Sequence, residues 1–175
     1  MRFLLLVCGF ALHCAAQSQD ADAESKDSYS ATFQDLLDSL NTTTRVWLLL
    51  QSTHTPLITC THSTLKPPIT ENEYNFVKKH LYNYELKEES MTAKLEGKET
   101  NTPAMDIRSK EGGSSTKYQL KYYNVNERCA LRTFQQGETT HCELHVWDEE
   151  PVDTPRGCEK VYDLVCRPKH RVYYE

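Results

Sequence analysis

The chain has 175 residues, with 20 Lys and Arg against 25 Asp and Glu, a formal net charge of −5 and 38% hydrophobic residues. That length suits one domain with a usable core. An acidic balance with no basic stripe argues against a nucleic-acid partner, and no apolar run reaches the ~20 residues that a membrane helix needs.

Residues 1–16 read as a secretory signal peptide. Arg2 supplies the positive start, residues 3–12 the apolar stretch, and Cys14-Ala15-Ala16 the small residues of a cleavage site. The expectation is therefore a secreted, extracellular protein. Residues 17–30 follow as a polar, acidic lead-in without apolar periodicity. The folded domain is expected over 31–175. Phe33, Leu36, Leu37 and Leu40 recur at helical spacing, which predicts a short helix over 31–40 with Ser30 as N-cap. Asn41-Thr42-Thr43 is an N-glycosylation sequon, so Asn41 is an expected surface glycan site.

From Thr42 onward the pattern changes to short apolar and aromatic runs: Val46 to Leu50, Ile58 to Thr61, Tyr74 to Val77, the Tyr82/Tyr84 pair and Lys117 to Tyr123. Two further runs, Cys129 to Phe134 and His141 to Trp147, are joined by residues 135–138, where Gly137 suits a hairpin. Residues 111–115 mark another turn. Many short strands at near-regular spacing predict an all-β barrel or sandwich. The tail is helical again. Cys158, Val161, Tyr162, Val165 and Cys166 share one face, Pro155 suits the first turn and Pro168 stops the helix. Val172 to Tyr174 adds a last extended piece.

Side-chain alternation organises the strand pair before this helix. Cys129 shares a face with Leu131, while Ala130, Arg132 and Phe134 take the other. In the next strand Cys142, Leu144 and Val146 point one way, and His141, Glu143, His145 and Trp147 the other. A helix carrying Cys158 and Cys166 on one face, lying outside this hairpin, could take a bridge to each strand. Arg132, Glu143 and His145 would then face inward, where charged groups are uncommon unless they serve a ligand. A bulge in either strand would instead turn them to solvent.

Other chemistries find little support. His141, Glu143 and His145 are metal-ligand types on one strand face, but the spacing arises readily by chance, and no metal or cofactor is expected. No nucleophile elbow, HExxH or phosphate-binding glycine loop occurs, so the chain is not expected to be an enzyme.

Cys129-Ala130-Leu131, Cys142-Glu143-Leu144-His145-Val146-Trp147, Pro155-Arg156-Gly157-Cys158 and Tyr162-Asp163-Leu164-Val165-Cys166 together resemble the C-terminal half of the tick salivary lipocalins. The helix, the strand around Trp47 and the Cys60 strand sit where that family has its N-terminal elements. The resemblance implies an eight-stranded antiparallel lipocalin barrel with a short N-terminal helix and a C-terminal helix packed outside. It also implies a salivary protein that sequesters host mediators: biogenic amines such as histamine and serotonin, leukotrienes and fatty acids, or a complement protein. The family's amine signature is matched by Cys129, Leu131, Glu143, Leu144 and Cys158. Ala130 stands where the signature has Asp, and His145 where it has an aromatic residue. Both changes remove partners of an ammonium group.

The expected binding wall is Arg132, Phe134, Glu143, His145 and Trp147, then Tyr118, Leu120 and Tyr122, with His54 near the mouth. Arg132 and His145 would anchor an anionic head, so an amphipathic lipid mediator is the first expectation and an amine the second. The rival reading is a protein-binding module acting through its outer surface. No membrane partner and a monomer are expected. The expected bridges are Cys129–Cys158 and Cys142–Cys166. In the family the first is common, and the equivalent of Cys60 pairs with a cysteine just after the final extended segment. This sequence stops at Glu175, so either it is truncated or Cys60 does not make that bridge. The competing scheme joins Cys60 to Cys166 and leaves Cys142 over.

Overall fold

A computed structural model describes residues 29–66, 70, 72–100, 102–148 and 153–173. The signal peptide, nearly all of the lead-in and Tyr174 lie outside these. Within them the elements run α1 (Phe33–Leu40), β1 (Val46–Gln51), β2 (Ile58–Lys66), β3 (Glu73–Tyr82), β4 (Glu85–Glu96), β5 (Ala104–Ser109), β6 (Thr116–Asn124), β7 (Cys129–Gln136), β8 (Thr139–Trp147), α2 (Arg156–Val165) and β9 (His170–Arg171).

Strands β2 to β8 pair antiparallel in chain order and β8 pairs with β1. β1 then meets β2 through Val46↔Ser63 and Trp47↔His62, so eight strands close into a lipocalin barrel. Closure removes the open sheet edges and leaves an inside and an outside. Beyond Trp47 the two closing strands separate, and the tail fills the gap. Val172 donates its N–H to Leu49 O and accepts from Cys60 N, each at 3.0 Å. Cys60 sits there at φ +50°, where the β2–β3 register shifts.

Two apolar clusters flank the wall. Inside, at the end that α1 plugs, Leu36 and Leu40 pack with Tyr74, Leu95, Leu120 and Trp147. Outside, α2 lays Val161 and Tyr162 on Leu131, Leu144 and Val146. The bridges Cys129–Cys158 and Cys142–Cys166 join this helix to β7 and β8, one to each strand. Cys60 stands outside both bridges, so the Cys60–Cys166 scheme does not describe this structure. β1 is buried on both faces because it separates these clusters, which explains its unbroken apolar run.

Both helix starts have a local cause. Helix α1 begins two residues later than the sequence suggests, because Thr32 rather than Ser30 closes a capping box: its hydroxyl accepts from Asp35 N, and the Asp35 carboxylate accepts from Thr32 N. At α2 the N-cap is Pro155, which has no side-chain acceptor. Glu127, from the β6–β7 turn, takes that role and accepts from Gly157 N and Cys158 N, both at 3.1 Å. A Cβ on residue 157 would lie 2.8 and 2.9 Å from the Glu127 carboxylate oxygens, so a larger residue there would push this cap aside. The sequence pattern marks β3 only as far as Val77, places Tyr84 in a strand and shows no element over 85–109. In the structure β3 runs on to Tyr82, Tyr84 lies in the turn, and β4 and β5 fill the interval.

Candidate ligand-binding site

A cavity of about 390 Å³ occupies the barrel between the α1 end and the loops at the other end. Thr53 and Thr55 of the β1–β2 loop and Ser114 of the β5–β6 loop border it, so its mouth lies opposite α1. The volume falls within the range of small-molecule sites. Its apolar wall comes from Val46, Leu48, Ile58, Phe76, Met91 and Ile107, and its polar wall centres on Tyr118, Arg132, Glu143 and His145.

Register explains why these four converge. β6, β7 and β8 are consecutive neighbours, and Arg132 stands directly opposite Glu143, with Ala130 opposite His145. The Tyr118 hydroxyl donates to Glu143 Oε1 at 3.2 Å, and His145 Nε2 lies 2.9 Å from Glu143 Oε2. The carboxylate accepts only, so a neutral His145 places its proton on Nε2 and its lone pair on Nδ1. Burial pushes the Glu143 carboxyl up. The His145 hydrogen bond and the charges of His145, Lys78 and Arg132 outweigh it, so the group stays below its ordinary value and ionised. Burial, then the Arg132 charge, hold His145 below its ordinary value despite Glu143. Burial lowers Arg132 too, against Tyr74, Glu143 and Tyr118, but a guanidinium remains charged at neutral pH.

Arg132 is only 7% exposed, and its Nε has no hydrogen-bond partner; His145 Nδ1 is likewise buried without one. A buried charged donor left unmatched is costly. Arg132 therefore brings to the cavity wall a buried guanidinium with one unmatched nitrogen, whereas Glu143 is already engaged on both oxygens.

Other residues expected on the wall fall elsewhere. Phe134 stands behind Tyr118, ring centroids 5.0 Å apart, and also meets His141 at 5.3 Å. Trp147 and Leu120 belong to the cluster at the plugged end, and Trp147 stacks on Tyr123 at 5.5 Å. Tyr122 is turned out of the barrel, because β6 shifts register between Leu120 and Tyr122. It meets Tyr29 on the outside at 5.6 Å. His54 is exposed on its loop, its ring 5.0 Å from that of His170. His141 approaches Ser52 rather than the cavity. Asn41 is exposed just after α1.

Lys78 and Glu89, cross-strand partners that both line the cavity, are not among the residues that the sequence pattern points to. The alternation Tyr74, Phe76, Lys78 would have indicated the first had the strand not been ended at Val77. Gln51 and Thr61 also line the wall. Bulges in β1 and β2 shift the alternation near them, and a parity count cannot anticipate that.

No curated protein matches the chain in sequence. Solved structures share its fold. Japanin from Rhipicephalus appendiculatus, bound to cholesterol, superposes with a TM-score of 0.62 at 11% identity, covering 78% of this chain and 96% of that one. AM182 in complex with serotonin gives 0.60 at 16% identity, covering 79% and 89%. Lobster apocrustacyanin A1 gives 0.61 at 8%, covering 86% of each. The sequence model described as tick histamine binding protein matches residues 23–175. With a closed antiparallel barrel, a plugging N-terminal helix and a C-terminal helix bridged to its outer wall, the chain belongs to the tick histamine-binding protein family.

Proposed function

We propose that this chain is a secreted salivary lipocalin that sequesters a small host mediator, and that the mediator is an amphipathic acid such as a leukotriene or fatty acid. The observation that carries this reading is the unmatched Arg132 Nε beside an apolar wall. A carboxylate would supply the missing acceptor, and Phe76, Met91 and Ile107 would cover a hydrocarbon body. A cationic amine finds less. Glu143 is already bonded to Tyr118 and His145, Arg132 repels a cation, and Ala130 and His145 replace the ammonium partners of the family signature. Small-molecule ligands in the fold neighbours, cholesterol in one and serotonin in another, support a ligand-holding barrel. The proposal includes no catalytic step, a glycan at Asn41 and a monomeric protein.

Calorimetric titration with arachidonate, a leukotriene, histamine and serotonin tests the reading. The acids are expected to bind more tightly than either amine. Submicromolar histamine binding with no lipid binding overturns it. A second reading, inhibition of a host defence protein such as a complement component through the outer surface, draws on the exposed Leu57, Tyr84 and Leu86 around the β3–β4 turn.

A further inference from the structure

Arg132 alone does not resolve the polar imbalance of the cavity. Among the described residues, five buried side-chain atoms lack a hydrogen-bond partner, and three of them belong to cavity-lining residues: Arg132 Nε, His145 Nδ1 and Thr61 Oγ1. The three differ in kind. The arginine nitrogen can only donate, and the threonine hydroxyl can do either. His145 Nδ1 can only accept while the Nε2 proton is committed to Glu143. Arg132 and His145 are also close neighbours: they point into the barrel from adjacent strands, one pair apart diagonally.

A carboxylate that answers Arg132 therefore brings its oxygens toward an imidazole lone pair. Two lone pairs facing each other in a water-poor site repel. One proton between them turns the contact into a charge-assisted hydrogen bond, which a low dielectric strengthens. This argument rests on the acid-ligand reading above. We infer that the cavity takes up its acid ligand together with one proton, held between the ligand carboxylate and His145 Nδ1. The proton comes from solvent, because both partners arrive without it. A fatty acid is ionised at neutral pH, and burial and Arg132 keep the free imidazole neutral. No covalent bond forms or breaks apart from this transfer.

Charged and titratable groups surround His145 on several strands. Glu143 lies on the same strand, Arg132 on β7, Tyr118 on β6, and Tyr74 and Lys78 on β3. β1 contributes Leu48 to the wall, β2 Thr61 and His62, β4 Glu89 and β5 Arg108. Burial raises Tyr74 and Tyr118 further above neutrality and lowers His62 as it lowers His145, but of the two histidines only His145 stands diagonally across from Arg132.

The test is titration of the full protein with arachidonate in two buffers of different ionisation heat. Near about pH 7.5 the heat should report uptake of about one proton per ligand, and affinity should rise up to about tenfold per unit of acidification from about pH 8 to about pH 7. His145→Gln, whose amide can donate to a carboxylate without a proton from solvent, should bind arachidonate with no buffer-dependent heat and a flat pH profile. Wild-type binding without proton uptake overturns the inference, as does uptake that persists in His145→Gln. If that variant does not fold, the imidazole NMR signals of the wild type decide. A His145 ring that stays neutral in the complex overturns the inference, and one that becomes imidazolium supports it. Failure of arachidonate to bind at all removes the acid-ligand reading, and this inference with it.

Discussion

The β7–β8 hairpin has two faces of opposite character. Its outer face meets α2 through Leu131, Leu144, Val146, Val161 and Tyr162, and both disulfides cross that seam. Its inner face, formed by the alternate residues of the same strands, carries Arg132, Glu143 and His145, with two unmatched polar atoms among them. Nearby backbone groups outside are satisfied: Ser52 Oγ accepts from Cys142 N, and the Glu127 carboxylate closes the start of α2. Stability is concentrated on one side of a two-strand ribbon, and unspent binding capacity on the other. A protein that must hold a ligand in its interior cannot also satisfy that interior by itself, so it needs a second, dry core elsewhere.

Four measurements break or sharpen this contrast. The double variant Cys142→Ser/Cys166→Ser should lose about 2–4 kcal/mol of unfolding free energy in a urea titration. Arachidonate affinity of the remaining folded protein should be unchanged; an equal loss of affinity would mean the two faces are not separable. Arg132→Met should behave inversely. Its arachidonate binding should weaken by about 1.5–3 kcal/mol, the worth of a hydrogen bond to a charged group. Its melting temperature should fall less than that of the cysteine variant, because removal of the unmatched Nε offsets part of the lost attraction for the Glu143 carboxylate opposite. A fall in melting temperature as large as that of the cysteine variant would show that Arg132 holds the fold.

Glu127→Ala should cost about 1 kcal/mol, the usual worth of a helix cap, and leave ligand affinity untouched. Urea titration beside calorimetry reads both. The smallest effect is that of pH on the ligand-free protein. The folded-state values of His145 and Glu143 lie below their ordinary values of 6.5 and 4.5. On acidification the unfolded chain therefore takes up the proton first, and stability falls. The His145 contribution is complete above 6.5 and is lost as pH drops through its lower folded value. The Glu143 contribution is complete above 4.5 and is lost later in the same way. His145→Gln should flatten the upper part of a melting-temperature profile; an unchanged slope there assigns it to other groups.

Much of this contrast can be read from the order of residues, and the reason is local. β7 and the part of β8 from His141 to Trp147 keep strict alternation through their pairing, so counting parity from Cys129 and Cys142 places Arg132, Glu143 and His145 on the inner face. Tyr122 shows the limit of that method. One shifted residue in β6 sends it outside and brings Tyr123 against Trp147, and nothing in the run from Lys117 to Tyr123 marks the bulge. β4 escaped notice for another reason. Residues 85–90 alternate weakly and are rich in charge, and their strand state depends on pairing with β3 rather than on their own propensity. Glu127 is legible only in three dimensions, since its partners lie 30 and 31 residues further along the chain.

The place of Val172 bears on the order in which the molecule can assemble. Its N–H and C=O complete a seam between the first two strands, so part of the ring runs through a residue far downstream of both. Hairpins β3–β4 and β7–β8 can zip locally as they emerge. The β1–β2 gap, by contrast, must wait for a segment more than a hundred residues downstream, the kind of distant contact that slows folding. Until that segment docks, Leu49 O and Cys60 N have only water to bond. The ring that Val46 and Trp47 close by direct pairing with β2 is thus extended at Leu49 and Cys60 by a splint from a distant segment.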